Sequence, residues 1–147
     1  MKTVAQRLDR LLQDYLTRRV IVVGTTCTGK STLIPQVTDA LDMDELLFPQ
    51  LNDQERAYVC QKPWTKRIGN EVKRLARKNI TVEPGHPLFG TVVLDCDFIV
   101  YLDITDLLLR ERVRARGKEY LDAKNMQRHL QDEIRRSGID YIEFPVG

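Results

Sequence analysis

The stretch Gly24-Thr25-Thr26-Cys27-Thr28-Gly29-Lys30-Ser31-Thr32 decides how this chain is read. Two glycines, then a lysine and a hydroxyl residue, fall at the spacing G-x-x-x-x-G-K-[ST]. Glycine lets the backbone turn back on itself, so that successive N–H groups face one cavity suited to an anion. Lys30 adds a point charge for outer phosphates, and the Ser31 hydroxyl is placed to ligate Mg²⁺. The whole run from Gly24 to Thr32 is a candidate phosphate-binding set.

Reading outward, Val20-Ile21-Val22-Val23 enters the loop. It is β-branched and apolar at every position, the pattern of a strand buried on both faces. Beyond the loop, Leu33, Ile34, Val37 and Leu41 recur at helical spacing and predict a helix over 30–41. Its N-terminal amides and positive dipole end would face the same cavity. Pro35 lies inside that helix, where it deprives the Ser31 carbonyl of its partner and is expected to kink the axis.

The rest of the chain alternates helix and strand, which predicts an α/β fold: one domain over 1–147, a three-layer sandwich around a mainly parallel sheet. A helix is expected over 4–16, with Thr3 and Gln6 as a capping box. Residues 42–63 are the least regular: 46–48 read as a short strand and 52–59 as a short helix. A helix over 64–78 leads to a strand at 80–82, broken by Pro84-Gly85. A buried strand over 98–102, helices over 105–116 and 122–136, and a strand over 141–144 complete the series.

Composition fits that picture. Hydrophobic residues make up 42% and charged residues 30% of the 147, which argues against disorder. The net charge of +2 is too balanced for a general nucleic-acid or membrane binder. No apolar run approaches the ~20 residues of a membrane span. The charged, amphipathic start does not read as a secretory signal. Cys27, Cys60 and Cys96 are odd in number and form no zinc pattern. A reducing, cytoplasmic location is expected.

With strand, loop and helix in this order, the chain resembles the P-loop NTPases. Asp97-Phe98-Ile99-Val100-Tyr101-Leu102-Asp103, followed by the arginine-rich run from Leu107 to Gly117, is similar to the late strand and lid-entry helix of their small-molecule kinase branch. Nucleoside and nucleoside monophosphate kinases are the nearest likeness, with shikimate-kinase-type enzymes close behind. The resemblance implies ATP and Mg²⁺ as cofactors, and arginines that stack on the adenine or close over the transferring phosphate. Arg112 and Arg116 match that pattern best. Their spacing agrees: like charges four apart on a helix repel by a few tenths of a kcal/mol, a cost that an anionic partner reverses.

Phosphoryl transfer usually needs a carboxylate, for the metal or for the acceptor's proton. Related kinases often carry an acid at the end of a strand before a turn, which points to Glu83, after Ile80-Thr81-Val82. Asp95, Asp97 and Asp103 are the other candidates, and Val92-Val93-Leu94-Asp95 reads as a Walker B-like strand. The catalytic set expected is thus Lys30, Glu83, Arg112 and Arg116, with Ser31 and Glu83 on the metal. The acceptor site is expected within 42–74, whose side chains include Asp42, Asp44, Trp64, Arg67 and Arg74.

These readings converge on Mg-ATP-dependent phosphoryl transfer to a small hydroxyl-bearing acceptor. An ATPase switch and a non-catalytic nucleotide-binding module are the rival expectations. The amphipathic first helix could pack on the sheet or against a second subunit, which leaves a homodimer open.

Overall fold

Residues Val20–Val23 form the central strand, β1, and all four are buried. Val20 and Val22 join one hydrophobic cluster, Ile21 and Val23 the other. Successive strand side chains point to opposite faces, so a run that is apolar throughout needs cover on both. The computed structural model describes residues 1–147. It places β1 at the centre of an all-parallel sheet with β2 (Leu41–Asp42), β3 (Leu88–Gly90), β4 (Phe98–Asp103) and β5 (Tyr141–Pro145), in the order β2-β3-β1-β4-β5.

Helices cover both faces. On the Val22 side lie α1 (Val4–Gln13), the short α2 (Lys30–Leu33) and α6 (Asp106–Ala115). On the Ile21 side lie α3 (Met43–Leu47), α5 (Lys66–Asn79) and α7 (Tyr120–Ser137). A further helix, α4 (Asp53–Val59), packs on α5. The layers are helix, sheet, helix, as composition and periodicity imply. Fully buried side chains such as Leu8, Ile99 and Leu102 contribute about 1.5–3 kcal/mol each relative to exposure. No helix is long and apolar enough to cross a membrane.

Four local expectations are corrected. The helix expected over 30–41 stops at Leu33, gives way to a 3-10 turn over Ile34–Gln36, and is extended by Val37. Pro35 has no N–H to continue the ladder, so it ends the helix rather than bending it. The segment 46–48 is helical: the Asp42 carboxylate accepts from the Asp44 N–H and starts α3, whose Met43 and Leu47 face the core. α1 ends at Gln13, short of the expected Leu16. The strand expected at 80–82 does not pair. Val82 is buried there, so apolar character at that point reports cover for the Ile21 face rather than a ladder.

The pairing strand is instead Leu88–Gly90, in register with Ile21–Val23. Its last residue is glycine because Met43 lies against it: a Cβ there would clash with Met43 Cε. Residues 91–97 then return to the amino end of the sheet without a helix. Val92, Val93 and Leu94 are buried along this return and form no strand.

Candidate functional site

Because every strand is parallel, the loop after β1 and the residues ending β2, β3 and β4 gather at one end. Ligands of open α/β sheets lie at this carboxyl end. The loop is held from two sides. Lys30 folds back, and its Nζ donates to the carbonyls of Gly24 at 2.6 Å and Thr25 at 2.7 Å, and to Thr28 Oγ1 at 3.2 Å. Arg112 reaches over from α6 and donates from Nη1 to the carbonyls of Thr28 at 2.9 Å and Cys27 at 3.4 Å. Thr25 Oγ1 ties the loop to α7 through the Ala123 carbonyl at 2.6 Å.

These bonds fix which way the peptide planes face. In a trans peptide the N–H points opposite to the preceding C=O. With the Cys27 and Thr28 carbonyls turned to Arg112, the Thr28 and Gly29 amides point away from it. From Thr26 to Ser31, no amide donates to a protein acceptor. A row of unpaired donors beside two cations makes a concavity suited to an anion. Gly29 makes the turn at φ +98°, where a side chain would be strained and would crowd Arg112. Cys27 takes φ +67° without being glycine, and it is buried. Since α2 has only one turn, its dipole adds less than the sequence implied.

Two clefts meet at the loop. One, of about 420 Å³, runs from Lys30 and Ser31 past Asp42 and Asp44 to an apolar wall that includes Phe48, Trp64 and Val72. The other, of about 560 Å³, lies between the loop, the end of α6 and the start of α1, with Val4, Ala5, Leu33 and Val146 on its sides. Cys27, Gly29 and Arg116 line both. The arginines of α6 and its C-cap Arg116 divide accordingly. Arg112 and Arg116 face the loop, Arg110 stacks on the Tyr120 ring at 4.2 Å, and Arg114 is exposed.

Glu83 is not in this site. It precedes β3 and lies at the amino end of the sheet, exposed, in the segment whose Gly85 approaches the Leu16 carbonyl ahead of β1. Neither a metal role nor a catalytic role at the loop is open to it. The error came from taking 80–82 as the strand, which reverses the end at which Glu83 falls. Asp95 and Asp97 are also at the amino end, clamping Arg19 at 3.0 Å and 3.1 Å. Asp103 ends β4, and the cap of α6 is Thr105.

The carboxylates that do reach the loop are Asp42, ending β2, and Asp44 in α3. Both line the cleft that Lys30 and Ser31 enter. Partial burial, and then the neighbouring Asp42 charge, push the Asp44 carboxyl above its usual range. Burial pulls Lys30 down to about 8, against the opposing pull of Asp44. Both acids fall within the segment expected to hold the acceptor, but a two-residue strand leaves no periodicity to mark them. Arg67 and Arg74 stay on the wet face of α5, Arg74 paired with Glu71. Trp64 packs over Gly69 at the start of α5 and forms part of the cleft wall.

Ser31, Asp42 and Asp44 offer hard oxygen donors on one cleft, a set that fits Mg²⁺ when phosphate oxygens complete the shell. No protein-family model matches the sequence, and no curated protein matches it significantly.

Proposed function

We propose that this protein is a nucleoside-triphosphate-dependent small-molecule kinase of the P-loop NTPase type. The observation that carries the reading is the loop with its amides from Thr26 to Ser31 unpaired, set where two clefts converge on Cys27, Gly29 and Arg116. A hydrolase needs room for one substrate and water. Two clefts sharing one anion cradle suit transfer between two bound molecules.

In this reading the donor's nucleoside lies in the cleft beside α1 and α6, and its phosphates rest on the loop amides and Lys30. Bound Mg²⁺, held by Ser31 and Asp42, would neutralise phosphate charge. The acceptor occupies the cleft beside α3 and α5. Its hydroxyl oxygen forms the new bond to the γ-phosphorus, the bond from that phosphorus to the β–γ bridging oxygen breaks, and the nucleoside diphosphate leaves. The hydroxyl proton passes to the Asp44 carboxylate, which lines the same cleft. Arg116 and Lys30 stabilise charge on the transferring group. ATP is the expected donor.

The test follows γ-labelled ATP with Mg²⁺ over pooled hydroxyl compounds, with Lys30→Ala alongside. Label on an organic acceptor, lost in the variant, is the expected result. Label found only as Lys30-dependent inorganic phosphate would replace the kinase by an ATPase switch. Tight ATP binding without turnover would replace it by a binding module.

A further inference from the structure

Resting on the kinase reading, we infer that the acceptor is an uncharged ring-bearing alcohol, and that compounds already carrying a phosphate or carboxylate are excluded. The inference comes from where charges lie around the 420 Å³ cleft, a volume in the range of small-molecule sites.

Its lining carries three cations: Lys30 on the loop, and Arg116 and Lys118 on the connection between α6 and α7. None is carried by α3, α4 or α5. Those elements present Leu47, Val59, Ile68 and Val72, and the turns beside them add Phe48 and Trp64. The only charge on that side is Asp44, with Asp42 just before α3.

The basic side chains that the sequence places nearby are used elsewhere. Arg56 donates to the Phe48 carbonyl at 3.1 Å and pairs with Asp53 at 3.5 Å. Arg74 pairs with Glu71. Lys73 reaches Glu133 on α7 at 3.0 Å. Lys66 and Arg67 are exposed and do not line the cleft.

An acceptor held against this wall with its hydroxyl toward the loop would bury any second anion among apolar side chains and two carboxylates. A buried charge without a counter-charge carries a large desolvation penalty. An uncharged ring gains there, since Trp64 and Phe48 offer aromatic surface to stack on. Lys30 and Arg116 are taken up by the donor's phosphates, and Lys118 sits with Arg116 on the connection between α6 and α7 rather than on the apolar wall.

Trp64 is the chain's one tryptophan and it stands in the wall, so its fluorescence reports occupancy without catalysis. The full chain, its loop saturated with a non-hydrolysable ATP analogue and Mg²⁺, is titrated with the common nucleosides against their own 5′-monophosphates, and with a phenyl alcohol against the matching phenyl carboxylate. The inference predicts at least tenfold tighter binding of an uncharged member than of its anionic counterpart, about 1.4 kcal/mol. It also predicts that Val72→Lys, which adds an ammonium to the wall, narrows or reverses that preference. This second result locates the response in the cleft rather than at the outer face of Trp64. Monophosphates or carboxylates binding as tightly as the uncharged partners would overturn the inference, and so would silence from both. Neither outcome depends on whether label moves from ATP, which tests the kinase reading separately.

Discussion

The two ends of the sheet treat their charged side chains differently. At the amino end, Arg19 is met by Asp97 through both backbone and side chain and by Asp95 through a further bond. Donor and acceptor are matched, and solvent reaches the group. At the carboxyl end, Lys30 is drawn down to about 8, Asp44 is pushed up, and six successive residues hold out amides that no protein group accepts. The first arrangement is what folding alone selects. The second leaves electrostatic demand for something outside the chain. Perturbed groups concentrated in a cleft are the pattern of a functional site.

The sharpest way to break this contrast is at Lys30. Lys30→Ala should lower phosphoryl transfer by about a thousandfold, the scale of losing a preorganised electrostatic contact. Its effect on stability should have the opposite sign near neutral pH. The folded-state pKa lies below the usual 10.5, so the unfolded state binds the proton more tightly over pH 8–10.5. Stability of the native protein should therefore rise as pH climbs through that window, by about 1–3 kcal/mol. Denaturation of Lys30→Met across the window should lack the rise. An identical slope in both proteins would mean the ammonium is not desolvated.

Next in size come the carboxylates. Asp44→Asn should cost about a hundredfold in turnover, the scale of general-base loss. Asp42→Asn should raise the Mg²⁺ requirement by about ten- to a hundredfold. Glu83→Gln, at the other end, should leave turnover within about twofold, as a surface change away from any site. A large loss at Glu83 would undo the assignment of ends. Arg112→Lys keeps the charge but loses the planar fork that holds the Thr28 carbonyl, and should weaken nucleotide binding by about tenfold. The smallest functional effect belongs to the amino end. Arg19→Ala should lower the melting temperature, less so in high salt, and leave turnover unchanged.

How far the sequence reached follows the same division. The loop, β1, β4 and the pair Arg112 and Arg116 were legible, because each is marked locally by a motif, an apolar run or a helical spacing. The layers were legible too, since Val20–Val23 and Phe98–Leu102 are apolar on both faces. β2 and β3 were not legible. They have two and three residues, and β3 follows Pro87 and ends on Gly90, residue types that read as loop signals. What identifies them is pairing with β1 and the packing of Met43 on Gly90, both non-local. Misplacing β3 by eight residues sent Glu83 to the wrong end and gave it the carboxylate role, while Asp42 and Asp44 were expected only around the acceptor. A carboxylate's role depends on which end of a strand it closes, and a three-residue strand gives no period from which to read its end.

The most direct measurement is the movement of individual backbone amide and arginine side-chain N–H resonances on adding Mg-ATP. The account predicts large shifts at Thr26 through Ser31 and at the Arg112 guanidinium, with Arg19, Asp95, Asp97 and Glu83 unmoved. Shifts centred on the amino end, or a silent loop at saturating nucleotide, would contradict the claim that the unpaired amides form an anion cradle.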